Sequence, residues 1–286
     1  MNAALWRLLF GPVGRILPFR FCGVIARLPA WGAWLLGIRR EITLRNLDMA
    51  LGNLPASERK RIARRSFINL FTVYLELLTL RHLGDDELHR RLRIVNIELL
   101  REIGEGGALL LSGHFGNWEL LALGAAAIAG RPFSVIVKEQ RDYGQLARMR
   151  TARGNTLIPT SRAAREATTL LRSGGIVALL SDQAAAEHDV LVDMFGLPTY
   201  TFAAPARLAL RYRPRVIAGY AVRQPDGNYL VELREIPHDD LPDAPEGVRI
   251  FTQRYVDDLT AAIRRHPEQW VWQHRKWKHT PGVRYD

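Results

Sequence analysis

The apolar run Ala108-Leu109-Leu110-Leu111-Ser112 passes directly into Gly113-His114-Phe115-Gly116-Asn117-Trp118-Glu119, and this junction constrains the fold more than any other stretch of the chain. A short apolar run closing in Ser-Gly reads as a buried strand that ends at a turn. Asn117 followed by Trp118-Glu119-Leu120-Leu121-Ala122-Leu123 reads as a capped helix start. His114 therefore falls on the turn between them. Were the segment one helix, five steps would rotate the chain through about 500° and place His114 and Glu119 on different faces. With His114 on the turn and Glu119 in the first helical turn, the two side chains can converge. A carboxylate that accepts the proton of one imidazole nitrogen fixes the tautomer and leaves the other nitrogen free as a base. The same residues also have a plainer reading, in which an acid favours the helix dipole and a turn histidine bonds to backbone.

The strand-then-helix order recurs. Phe133–Lys138 precedes a helical stretch around Tyr143–Arg153, Thr156–Ile158 precedes one from Ser161 to Arg172, and Ile176–Ser181 follows as a further apolar run. Alternation of this kind predicts an α/β fold, a central sheet flanked by helices. A long amphipathic helix is expected from Ala56 to Leu83 and a last one over about Gly247–Arg265. Val216–Val222 and Tyr229–Ile236, separated by Arg223-Gln224-Pro225-Asp226-Gly227-Asn228, read as a hairpin. No internal repeat or low-complexity linker interrupts the chain. Ile176–Leu180 ends in Ser181-Asp182-Gln183, which places a second carboxylate at a strand exit, where open α/β sheets gather ligands. A turn-forming Asp is the simpler reading of that position.

Residues 1–40 carry six arginines and no acid among many apolar and aromatic side chains. The longest charge-free stretch, Leu28 to Ile38, is too short for a bilayer, which needs about 20 apolar residues. Arginines recurring through the apolar part also argue against a secretory signal. The pattern fits a segment lying in a membrane interface, or else an apolar helix pair packed on the domain with snorkelling arginines. The expected organisation is residues 1–40 as a membrane-associating helical segment and 41–286 as a single α/β domain. A formal charge of +11 implies a polyanionic partner: nucleic acid, anionic lipid or an acidic carrier protein. The basic residues cluster beside apolar helices and tryptophans without a reading motif, which disfavours nucleic acid. Cys22, the lone cysteine, permits no intrachain disulfide and fits a reducing compartment. No Gly-x-Ser-x-Gly elbow and no Gly-x-x-x-x-Gly-Lys-Ser/Thr loop is present, against serine-hydrolase and P-loop readings.

Gly-His-Phe-Gly-Asn-Trp-Glu resembles the His-x4-Asp/Glu motif of the glycerolipid acyltransferase superfamily, in the form used by the lipid A late acyltransferases. Further motifs follow in the family's order: Arg148-Met149-Arg150, the strand-borne Asp182, Phe195-Gly196-Leu197-Pro198, and the closing segment Pro267–Lys278. Val137-Lys138-Glu139-Gln140 departs from the Tyr/Phe-Arg-Pro-like element of many members. The resemblance implies a glycerol-3-phosphate acyltransferase-like mixed sheet. It also implies a membrane-associated enzyme at the cytoplasmic face of the inner membrane, moving an acyl chain from an acyl thioester to a lipid hydroxyl. Its co-substrate would be an acyl carrier protein or coenzyme A thioester, with no further cofactor and no metal, and its partners the carrier protein, an anionic lipid acceptor and the membrane surface. His114 would be the general base oriented by Glu119. Arg148 and Asp182 would shape the site, and the N–H groups of Gly116 and Asn117 would stabilise the oxyanion. Two alternatives stand beside this: another acceptor, such as a phospholipid, glycolipid or ornithine-type lipid, and a basic membrane-surface protein without catalysis. The tryptophans of the closing segment would suit either a lipid interface or a core.

Overall fold

The computed structural model describes residues 9–104, 106–138 and 143–285. Residues 139–142, which hold half of the element that departs from the family pattern, and residues 1–8 of the basic N-terminal segment lie outside them. Among the described residues eleven strands form in chain order: β1 (Leu92–Val95), β2 (Ala108–Ser112), β3 (Ser134–Val137), β4 (Thr156–Pro159), β5 (Ile176–Leu180), β6 (Val190–Met194), β7 (Leu197–Thr201), β8 (Arg215–Ala218), β9 (Val222–Arg223), β10 (Tyr229–Glu232) and β11 (Arg234–Glu235). Six of them build the central sheet in the order β11-β8-β2-β5-β3-β4. Its pairs are parallel except β11 on β8, so the sheet is mixed, as the family resemblance implies, and helices flank it, as the alternation of elements predicts.

The inner strands β2 and β5 are apolar on both faces because both are covered. Leu109, Leu111, Val177 and Leu179 point into one core, with Phe251, Tyr255 and Leu259 of the helix Pro245–Arg265. Ala108, Leu110, Ile176 and Ala178 point to the other side, where helix Trp118–Ala129 brings Leu120, Leu123 and Ala126. Asn117 caps that helix through its side-chain oxygen, which accepts from the Leu120 N–H at 2.9 Å.

The expected hairpin forms, but each of its arms divides between two sheets. β8 and β11 belong to the central sheet, whereas β9 and β10 pair with each other and β10 pairs with β1. The division falls at Gly219–Ala221, where the chain leaves the sheet and the Ala221 carbonyl accepts from the Asn117 N–H at 3.1 Å. The long helix is also shorter than its pattern suggests: it runs Ala56–Thr79 and tightens into a 3-10 turn at Leu80–His82. Phe195-Gly196 forms the turn between antiparallel β6 and β7, both residues at positive φ. Sequence reading assigned no strands here.

Helix Arg27–Leu35 buries Ala30, Ala33 and Trp34 on the long helix, with the Trp34 and Phe67 rings 5.7 Å apart edge to face. Its other face is apolar and bare: Leu28, Trp31 and Leu35 are 78%, 53% and 69% exposed. Among the described residues no single helix is long and apolar enough to cross a membrane, and the apolar segment Phe19–Leu35 meets helix Arg40–Ala50 at a bend of 92°.

Gly116 fixes where the His114 turn sits. Its φ is +58°, and a Cβ there would lie 1.8 Å from the Ala221 carbonyl oxygen. Gly196, at φ +83°, has open space around it. Gly196→Ala should therefore cost only the left-handed strain, about 1–2 kcal/mol, while Gly116→Ala should cost more and lower the melting temperature further. Equal shifts for the two variants in thermal unfolding would contradict this docking.

Candidate active site

β2 and β5 pair in parallel with Ser112 opposite Leu180. Two residues beyond that pair, on adjacent strand exits, stand His114 and Asp182. The register alone makes them neighbours. Asp182 Oδ1 lies 2.7 Å from His114 Nδ1, and Oδ2 accepts from the His114 backbone N–H at 2.8 Å and from the Trp270 indole N–H at 2.9 Å. An ionised carboxylate only accepts, so Nδ1 carries the proton and Nε2 keeps its lone pair. The Gln183 carboxamide nitrogen is 3.3 Å from Nε2, and the Trp118 ring packs on the imidazole at a centroid distance of 5.1 Å.

Burial alone would raise the Asp182 carboxyl, but the charge of His114, its ring hydrogen bond and the Trp270 and backbone bonds more than offset that and hold it at about 2. Burial also opposes the His114 imidazolium. The Asp182 charge and hydrogen bond, reinforced by the charge of Glu119, outweigh this and raise its pKa above the ordinary imidazole value.

The carboxylate on the imidazole is thus Asp182 and not Glu119, which corrects the pairing expected from the five-residue spacing. Glu119 is buried on the side of helix Trp118–Ala129 that faces helix Tyr143–Arg150. A buried carboxylate requires a counter-charge, and the planar fork of Arg150 supplies it: Nε donates to Oε2 at 2.9 Å and Nη2 bonds Oε1. Arg148, the arginine expected from the family motif, is exposed. Two helical steps rotate it about 200° from Arg150, so only one of the two can face Glu119. Arg150, and not Arg148, is the arginine of that motif that enters the site.

The oxyanion donors expected at Gly116 and Asn117 are also committed elsewhere. The Gly116 N–H donates to the Gln269 carbonyl at 2.8 Å and the Asn117 N–H to Ala221. The Asn117 amide donates to Glu76 at 2.7 Å, and Glu76, fully buried, is also held by the Tyr229 hydroxyl and the Arg223 guanidinium. These residues anchor the turn instead of facing a substrate.

Sequence reasoning passed over three further groups. Trp270, read as either core or interface, is buried and fixes Asp182. Gln183 faces the free nitrogen of His114. Lys276, buried, donates from Nζ to the Gln183 carbonyl at 3.1 Å, and burial lowers its pKa to about 8. Nothing in the spacing of the closing segment separates Lys276 from the exposed Lys278 beside it.

The dyad stands at the rim of a cavity of about 570 Å³ between the sheet and helix Trp118–Ala129. Among the described residues His114, Glu119, Lys138, Arg150 and Gln183, with the hydroxyls of Ser112 and Thr160, supply its polar groups. Its walls are apolar, built by Leu110, Leu121, Val135, Ala178, Ile217 and Leu233. The volume is that of a small-molecule site.

Fold and site together define an α/β protein with a histidine–carboxylate pair on the carboxyl edge of its sheet, opening on a hydrocarbon-lined cavity. The chain belongs to the bacterial lipid A biosynthesis acyltransferases, whose family model matches residues 4–279. No curated protein matches it. Its membership makes it an acyltransferase of the lipid A type, in keeping with the resemblance in its motifs.

The two arginines should separate on substitution. Arg150→Met leaves Glu119 buried without its partner and should destabilise by about 3 kcal/mol, the low end for a broken buried pair because Arg150 is 22% exposed. Arg148→Met should fall within about 0.5 kcal/mol of wild type, as exposed substitutions do. Urea unfolding of both variants measures this, and the reverse order would refute the assignment.

Proposed function

We propose that the protein transfers a fatty acyl chain from an acyl thioester, carried by acyl carrier protein, to a hydroxyl of a lipid A precursor or related anionic membrane lipid. The observation that carries this reading is the His114–Asp182 pair at the rim of an apolar cavity. The cavity takes the acyl chain and brings its thioester carbonyl to the rim. His114 Nε2 removes the acceptor hydroxyl proton while Asp182 holds the ring and stabilises the imidazolium. The oxygen attacks the carbonyl, the tetrahedral intermediate collapses, the C–S bond breaks and the thiolate takes the proton back from Nε2. No covalent enzyme intermediate forms. Glu119 and Arg150 hold the rim in shape, and the Glu119 charge favours the imidazolium formed in the first step.

The basic, apolar-faced N-terminal helices support a location on the cytoplasmic face of the inner membrane, where an acidic carrier protein and an anionic acceptor both meet positive charge. The bare apolar face of Leu28, Trp31 and Leu35 would lie in the acyl boundary, with the acceptor entering from the bilayer.

The test is transfer of labelled acyl chain from acyl carrier protein to lipid extract, with the product identified by mass spectrometry. His114→Ala should reduce transfer by about 10²–10⁴, the usual contribution of a positioned base. Wild type with no product from carrier protein or coenzyme A thioester would overturn the catalytic reading. The base acts only when unprotonated, so kcat/KM should rise with pH through a His114 pKa above the ordinary 6.5. Ala178→Leu, which narrows the cavity from the sheet side, should shift preference toward shorter acyl chains, and an unchanged chain-length profile would remove the acyl chain from this cavity.

A further inference from the structure

Away from the dyad, a second concave site of about 430 Å³ lies at the corner where helix Arg27–Leu35 gives way to helix Arg40–Ala50. Arg39, Arg45, Arg275 and Arg284 line it, with Glu41 as the one carboxylate among the described residues and Tyr285 beside them. Among the described residues none of the four guanidiniums is held in an ion pair, and Arg275 stacks on the Tyr285 ring at 5.9 Å. Four cations in a single hollow repel one another, and a polyvalent anion relieves that repulsion.

The walls are fixed in advance. The Tyr285 hydroxyl donates to Asn46 Oδ1 and accepts from the Trp277 N–H at 3.2 Å, and Asn46 Nδ2 donates to the carbonyls of Trp272 and His274, both at 2.7 Å. These bonds tie the C-terminal segment with Arg275 and Arg284 to the N-terminal helix with Arg45. The chain beside the hollow is apolar and bare: Leu35, Leu36 and Ile38, which flank Gly37 and precede Arg39, are 69%, 78% and 54% exposed. A soluble anion would have no use for that collar. A bilayer lipid offers both a phosphate for the guanidiniums and hydrocarbon for the collar.

We propose that this arginine hollow binds the phosphate of an anionic bilayer lipid and so fixes how the protein sits on the membrane. The proposal deepens the membrane placement above and rests on it. Co-sedimentation with phosphatidylcholine vesicles, with and without phosphatidylglycerol, tests both. The Arg45→Gln/Arg275→Gln protein should lose about 25-fold in binding to the phosphatidylglycerol vesicles, about fivefold for each arginine. Its binding to pure phosphatidylcholine should match wild type. The control is Arg165→Gln/Arg207→Gln, which removes the same charge from exposed positions on other helices and should lose less than about twofold, since charges beyond a Debye length are screened. Circular dichroism verifies that both variants are folded.

Equal losses from the two pairs would overturn the hollow and leave the membrane placement standing on net charge. Wild type that sediments with neither vesicle would overturn the membrane placement itself. Sodium phosphate should release wild type from phosphatidylglycerol vesicles more effectively than sodium chloride of equal ionic strength, because it competes for the same guanidiniums; equal release by the two salts would overturn a phosphate site in the hollow.

Discussion

Everything at the candidate active site depends on one parallel pairing, β2 against β5. Because Ser112 faces Leu180, the exits of the two strands are level, and the second residue beyond each is a histidine on one and an aspartate on the other. A slip of one residue would turn the alternating side chains of β2 to the wrong cores, and it would also separate the dyad. The register that makes the core is therefore the register that makes the site. Around it, the turn is clamped from three directions: the Gln269 carbonyl on Gly116, the Ala221 carbonyl on Asn117, and the buried Glu76 on the Asn117 amide.

The molecule holds two carboxylates near one imidazole and gives them different work. Asp182, buried and bonded three times, stays ionised far below neutral pH and sets the tautomer. Glu119 is ion-paired with Arg150 and its charge acts on His114 only through space. Electrostatics thus favours the imidazolium that a base must become, while the Asp182 hydrogen bond keeps Nε2 facing the rim.

Much of this was legible in the sequence, for identifiable reasons. The strand-turn-helix around His114 was readable because Asn117 is a strong cap and the apolar run before it is short. Asp182 was readable as a strand-exit acid. What could not be read was the order of strands in the sheet, since β5 lies beside β2 although β3 and β4 intervene in the chain. That order brings Asp182, and not Glu119, to the ring. Arg150 and Arg148 are indistinguishable as types, and only the phase of their helix decides which one meets Glu119. Trp270 and Lys276 reach the site from a segment nearly 90 residues beyond Asp182, a contact that local pattern does not encode.

The most direct test of this account is the imidazole 15N spectrum of His114 across pH in wild type, Asp182→Asn and Glu119→Gln. In wild type the neutral ring should be protonated on Nδ1. Its pKa should fall strongly in Asp182→Asn, where burial is left largely unopposed, and by less in Glu119→Gln. A larger fall in Glu119→Gln, or a wild-type ring protonated on Nε2, would contradict it and return the orienting role to Glu119.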